Sequence, residues 1–241
     1  MPEIDTDVVD TDTVAVDVDG TVATITLQRG EKNMIETEMT KALVGALRTL
    51  DDDADVGAIV ITGAGEYFCG GADGPLIRST GTARPFADAA VELFDVMADL
   101  GTPIVAAVNG DALAGGFGIV CGADIVIAVE TARLGTIEAS LGTWPAIAQG
   151  TALRRVPEKA ALRNILTGVP FTAEESVHLG IIDEAVPESE LERRVSHYAE
   201  AVQQAGAAVA LCRPLAYRAL DPNYSSSLRS GADAFVQLFS S

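Results

Sequence analysis

Apolar positions along the chain follow two periods. Val14 to Val18 and Val22 to Arg29 alternate apolar with small or polar side chains, and Asp19-Gly20 lies between them, so this stretch reads as a β-hairpin. Thr37 to Leu50 carries Met39, Leu43, Ala46, Leu47 and Leu50 at helical spacing. Ala87 to Leu100 places Ala90, Leu93, Phe94, Met97 and Leu100 on one helical stripe. Around these helices run three unbroken apolar segments, Gly57 to Thr62, Ile104 to Val108 and Ile125 to Val129. A strand without polar alternation is covered on both faces, and such strands separated by helices argue for parallel crossover units. The expected fold class is α/β.

The pattern changes near Pro157. Strands become scarce and helical stripes dominate. Thr172-Ala-Glu-Glu175 reads as a capping box opening a helix that Gly180 ends. Leu191, Val195, Tyr198, Ala199 and Val202 form another helical face, and Ser226 to Phe239 a last amphipathic helix. The expected organisation is a β/α core over residues 1–156 and a helical C-terminal region over 157–241. No Gly/Ser-rich linker separates them, so they form one folding unit.

Charge removes several function classes. Acidic residues number 35 and basic residues 16, a formal net charge of -19. Such a field repels phosphate backbones, so no nucleic-acid partner is expected. With no polybasic stretch and no apolar run of about 18 residues, no membrane role is expected either. The acidic segment Met1 to Thr13 has no apolar core and does not read as a secretory signal. Cys69, Cys121 and Cys212 are an odd set without C-x-x-C spacing, which fits a reducing, cytoplasmic setting. His178 and His197 fall on separate expected helices with no Cys or second His nearby, so no metal site is expected.

Several catalytic signatures fail. Gly63-Ala-Gly65 follows a strand but Phe68 stands where a dinucleotide fingerprint needs its third glycine. There is no phosphate-cradling P-loop. Ser140, in Glu138-Ala-Ser-Leu-Gly142, lacks the first glycine of a nucleophile elbow. What remains is a pair of glycine-rich turns, each after an apolar strand: Phe68-Cys-Gly-Gly-Ala-Asp73 and Asn109-Gly-Asp-Ala-Leu-Ala-Gly-Gly-Phe-Gly118. Small residues let main-chain N–H groups approach a ligand, and two N–H groups aimed at one spot make an oxyanion hole. The same turns could equally be tight for packing alone.

Together these segments resemble the crotonase superfamily, the enoyl-CoA hydratase/isomerase family. Gly57-Ala-Ile-Val-Ile-Thr-Gly-Ala-Gly-Glu-Tyr-Phe-Cys-Gly-Gly-Ala-Asp73, Pro103-Ile-Val-Ala-Ala-Val-Asn-Gly110 and Leu134-Gly-Thr-Ile-Glu-Ala-Ser-Leu-Gly142 are similar to family motifs in family order. Leu166 to Glu175 and Leu179 to Pro187 are similar to the helical region that follows. The resemblance implies a crotonase-type spiral of β-β-α units with a helical C-terminal region. It also implies an acyl-CoA thioester ligand and a homotrimer or hexamer. No separate cofactor is implied, coenzyme A being part of the substrate. By position, the N–H groups of Ala72 and Gly115 would form the oxyanion hole. Glu138 would be the catalytic carboxylate. Gly71, Asp73, Gly116, Gly118, Trp144 and Met34 would border the substrate.

The chain also departs from the family pattern. Hydratases carry a further glutamate three residues after the oxyanion glycine, where this chain has Gly118. The loop after Glu138, Gly142-Thr-Trp-Pro-Ala-Ile-Ala-Gln-Gly150, lacks the family's run of glycines. One carboxylate suffices to move a double bond, so the expectation is 3-enoyl to 2-enoyl-CoA isomerisation with Glu138 as the sole base. The alternatives are 2-enoyl-CoA hydration and a non-catalytic acyl-CoA-binding subunit.

Overall fold

The computed structural model describes residues 11–204, 206–220 and 223–239. The expectation for the acidic N-terminus falls mostly on residues 1–10, outside the described residues. The hairpin forms from β1 (Val14–Asp19) and β2 (Val22–Leu27), with Gly20 at φ 62° in the turn, a conformation that costs a residue without a Cβ little. Helix α1 (Thr37–Asp52) follows, its N–H groups at Glu38 and Met39 capped by the Glu36 carboxylate.

The chain then repeats one unit three times: a long buried strand, a short strand, then helix. The first unit is β3 (Ala58–Gly63), β4 (Tyr67–Cys69), α2 (Gly74–Thr80) and α3 (Ala83–Asp99). The second is β5 (Ile104–Val108), β6 (Asp111–Leu113) and α4 (Gly115–Gly122). In the third, β7 (Ile125–Val129) and β8 (Arg133–Gly135) lead through a 3-10 turn, Glu138–Leu141, to α5 (Ala148–Arg155) and α6 (Glu158–Thr167). Long strands stack in one sheet and short strands in another, so each unit advances the chain one step along a spiral of β-β-α units.

The C-terminal region adds β9 (Phe171–Thr172), α7 (Ala173–His178), β10 (Glu184–Val186), α8 (Glu188–Ala201), α9 (Ala207–Leu220) and α10 (Tyr224–Phe239). The large sheet has the order β1-β2-β3-β5-β7-β10, parallel except at the β1/β2 hairpin; the small one runs β4-β6-β8-β9, with only β8/β9 antiparallel. The apolar runs are unbroken because both faces of the large sheet are covered. Ile59, Ile61, Ile104, Ala106 and Val126 face the main core with Leu43, Leu47, Leu93 and Met97 of α1 and α3. Ala58, Val60, Val105 and Ile127 face Val195 and Ala199 of α8.

Two expectations change. Each glycine-rich turn overlaps a short strand: β4 runs into the first at Phe68 and Cys69, β6 lies inside the second, and the two pair in parallel with a register irregularity between Tyr67 and Cys69. Residues 157–241 are not purely helical: β9 and β10 extend both sheets of the core, so the segment is woven into the preceding one. Helix α9, with Pro214 inside it, falls within the expected helical C-terminal region, where no apolar stripe had marked its bounds. A buried polar network secures that helix. Arg213 donates to Asp124 at 2.8 Å and to the carbonyls of Leu100 and Met97, while the Tyr217 hydroxyl donates to Asp124 at 2.6 Å. The Thr172/Glu175 capping box forms as expected, with bonds of 3.0 and 3.1 Å.

Candidate active site

The first glycine-rich turn is fastened to the segment after the hairpin. Gly70 N–H donates to Lys32 O at 2.7 Å, Ile35 N–H to Gly71 O at 2.8 Å, and Asp73 N–H to Ile35 O at 2.9 Å. Ile35 thus engages the residues on either side of Ala72. In extended backbone successive amides point to opposite sides, so the Ala72 N–H faces away from Ile35. The second turn delivers the other amide. Ala114 adopts φ 51°, ψ -119°, and Gly115 opens α4 directly after it. A first-turn helical N–H has no acceptor within its own helix, and it sits at the positive end of the helix dipole. Among the described residues, neither the Ala72 nor the Gly115 N–H donates to a main-chain acceptor outside regular elements.

The two turns touch. The place a Cβ on Gly115 would take lies 3.8 Å from the Ala72 nitrogen, and that for Gly71 lies 3.0 Å from the Gly115 nitrogen and 2.4 Å from Ala114 Cβ. Gly71 sits at φ 91°, so only glycine meets both the conformation and the space. Its contribution is to let the turns close on one another. Ala72 and Gly115 both line one cavity of about 520 Å³.

Glu138 borders the same cavity. Its backbone begins the 3-10 turn after β8, and the turn is held from behind by Asn164. The buried Asn164 amide donates to the carbonyls of Thr136 and Val169, both at 2.9 Å, and its oxygen accepts from the Thr136 N–H and hydroxyl. The half-buried Glu138 carboxylate accepts the Ile137 N–H at 2.9 Å. Burial against apolar walls disfavours its charged form and pushes its pKa up to about 7, although hydrogen bonds from its own amide and that of Ile137 oppose the rise. A carboxyl so placed exchanges a proton readily near neutral pH.

The rest of the wall is apolar at its buried end and open at the other. Phe86, Leu93 and Phe94 of α3 join Ile147 and Phe235 at the buried end. Pro75, Arg78, Leu141 and Trp144 are at the exposed end. Among the described residues lining the cavity, Glu138 is the only acid and Arg78 the only base.

The expected site residues therefore divide. Ala72, Gly115, Glu138, Met34 and Trp144 border one cavity. Trp144 is 36% exposed, its indole N–H bound to Gln149 at 2.9 Å. Gly71, Asp73, Gly116 and Gly118 are not among its lining residues and are held in packing or capping contacts beside it. Asp73 caps α2 through a 3.2 Å bond from Leu76 N–H and pairs with Arg29 at 3.1 Å. Gly116 lets α4 pass β4, since a Cβ there would lie 2.3 Å from Cys69 O. At Gly118 a Cβ would lie 2.6 Å from Phe94 Cζ. The lining aromatics Phe86, Phe94 and Phe235 were missed as site residues because a helical apolar stripe reads the same whether it faces core or cavity. Cys69 and Cys121 are buried, and burial pushes both thiols up to about 12, so neither is a ready nucleophile.

Parallel β-β-α units wound around an apolar cavity with one acid in its lining are the architecture of the crotonase fold. Residues 17–241 match the family model described as enoyl-CoA hydratase/isomerase, and the chain belongs to that family. Its relatives include the enoyl-CoA hydratase EchA19 of Mycobacterium tuberculosis, 32% identical over 81% of this chain and 74% of that protein. The short-chain-enoyl-CoA hydratase of Clostridium acetobutylicum is 31% identical over 94% of this chain and 89% of its own. Among solved structures, the enoyl-CoA hydratase of Mycobacterium smegmatis superposes with a TM-score of 0.81 at 26% identity, covering 93% of this chain and 90% of that one.

Proposed function

We propose that this enzyme isomerises 3-enoyl-CoA thioesters to 2-enoyl-CoA thioesters, with Glu138 as its one acid–base group and the Ala72 and Gly115 N–H groups as its oxyanion hole. The observation that carries this reading is that Glu138 is the only carboxylate among the described residues lining the cavity. The thioester oxygen accepts the two N–H groups. Glu138 takes a proton from C2, the C2–H electron pair enters the conjugated system, and charge gathers on the thioester oxygen. The resulting dienolate carries electron density at C4 as well, so the same carboxyl returns the proton there and the double bond ends between C2 and C3. One proton leaves and one arrives, and no second acid is required. Two main-chain donors at the enolate oxygen supply the larger part of the stabilisation; losing one donor costs about a hundred- to a thousand-fold in other enzymes.

A second reading is 2-enoyl-CoA hydration, favoured by the names of the relatives. Incubation with 3-enoyl-CoA and 2-enoyl-CoA in separate reactions distinguishes the two. Isomerisation is expected to be the faster by kcat/KM; hydration outrunning it would reject the proposal. Replacing Glu138→Gln tests the third possibility, a binding subunit: the enzyme loses turnover and keeps thioester binding, whereas a binding protein has no turnover to lose.

A further inference from the structure

The ring of Phe94 reaches from α3 to the first turns of α4. It is 2% exposed, borders the cavity, and ends where a side chain on Gly118 would begin, with 2.6 Å from Cζ and 3.1 Å from Cε1 to that Cβ position. Thr151 Oγ1 lies 3.4 Å from the same point, and its hydroxyl is already committed to the Ala148 carbonyl at 2.8 Å. Gly118 is three residues past Gly115, which lines the cavity. A side chain cannot enter here without moving the ring. Ala90, Leu93 and Ile147, which line the same cavity, have no hydrogen-bonding side chain, so the Thr151 hydroxyl is the polar side-chain group placed beside this point.

The geometry points to Phe94 as the residue that sets the reaction outcome, by filling the space beside α4 in which a water molecule or a second acid would stand. The inference rests on the isomerase reading of the site. With the ring present, the proton on Glu138 has only the substrate carbons to return to. With the ring truncated, water can enter next to the β-carbon of a bound 2-enoyl thioester. Its oxygen bonds to C3 as the C2–C3 π bond breaks, and its proton reaches C2 by way of Glu138. The product is a 3-hydroxyacyl thioester, with no oxidant or reductant required. Phe94 touches no reacting atom in this account, so it is a specificity residue and not a catalytic one.

The test compares wild type, Phe94→Ala and Phe94→Leu for kcat/KM with 3-enoyl-CoA (isomerisation) and 2-enoyl-CoA (hydration). The ratio of hydration to isomerisation is expected to rise about tenfold or more in Phe94→Ala and by less in Phe94→Leu, which leaves part of the space filled. A merely structural role would lower both activities together and leave the ratio alone. Circular dichroism and thermal melts establish which variants fold; if the alanine variant does not, the leucine variant decides. An unchanged ratio in a folded variant, with a wild type that isomerises, overturns this inference alone. A wild type that fails to isomerise overturns the isomerase reading and this inference with it.

Discussion

Glu138→Gln should make the protein more stable while it abolishes turnover. A carboxyl with a pKa near 7 in the fold and 4.5 when free carries its charge at a cost to the folded state. At about 1.4 kcal/mol per pKa step, that cost has a ceiling of about 3 kcal/mol. Glu138 is half-buried, and solvent reaching it from the open end of the cavity reduces the cost to about 1–2 kcal/mol. The sign follows from proton counts. Between the unfolded value of 4.5 and the folded value of about 7 the folded state holds more protons, so this group lowers stability as pH rises through that window. Below 4.5 the penalty is absent, and above 7 it is complete. Glutamine is nearly isosteric and its oxygen can still accept the Ile137 N–H, so the substitution removes the charge and little else. Paired thermal melts at pH 4.5 and pH 8 are the assay. A gain of about 2–8 °C is expected at pH 8, at about 2–4 °C per kcal/mol for a chain of this size, and almost none at pH 4.5. Equal melting shifts at both pH values, or destabilisation at pH 8, would refute the reasoning that an apolar wall raises this carboxyl.

The same group predicts that log kcat/KM climbs with pH up to about 7 and levels off above it, because proton abstraction needs the ionised form; a flat profile from pH 5 to 8 would speak against Glu138 as the base. Gly71→Ala puts a Cβ 2.4 Å from Ala114 Cβ and 3.0 Å from the Gly115 nitrogen, so turnover should fall about a hundredfold or more while α1 and the large sheet stay folded by circular dichroism. Asn164→Ala leaves the carbonyls of Thr136 and Val169 without their donor and frees the turn that carries Glu138. It should lower the unfolding free energy by about 1–3 kcal/mol in denaturant titrations and reduce kcat more than it raises KM. Asp124→Ala removes the carboxylate paired with the buried Arg213 guanidinium, leaving it carbonyl acceptors alone, and takes one partner from the Tyr217 hydroxyl; it should cost about 3–5 kcal/mol in the same titrations.

Much of the frame was legible in the chain. The runs at Ile104–Val108 and Ile125–Val129 gave their strands to the residue, because a strand buried on both faces has no polar position to blur its ends. The period of Met39, Leu43, Leu47 and Leu50 gave α1, and the Thr172 capping box gave the start of α7, because both signals are local. The short strands β4 and β6 were hidden, since three residues carry too little pattern to separate a strand from a turn. The bounds of α9 were hidden because Pro214 argues against a helix on local grounds, while Arg213 and Tyr217 hold that helix through Asp124, about 90 residues earlier in the chain.

For the site, the sequence by itself determined which residue types were available: two glycine-rich turns, Glu138 before Leu141-Gly142, and no acid at position 118. Only the tertiary structure decided what each does. Glycine is chosen wherever a Cβ cannot fit, whether the neighbour is a ligand or another part of the chain. At Gly71, Gly116 and Gly118 an added Cβ would meet Ala114, Cys69 and Phe94, contacts that a one-dimensional reading does not show. Proton affinity is equally non-local. Nothing in the residues flanking Glu138 distinguishes it from an exposed carboxylate, and its raised pKa comes from burial, in a cavity that α3 and α10 also wall. Local periodicity writes helices and strands into the chain; contacts between distant segments write the chemistry.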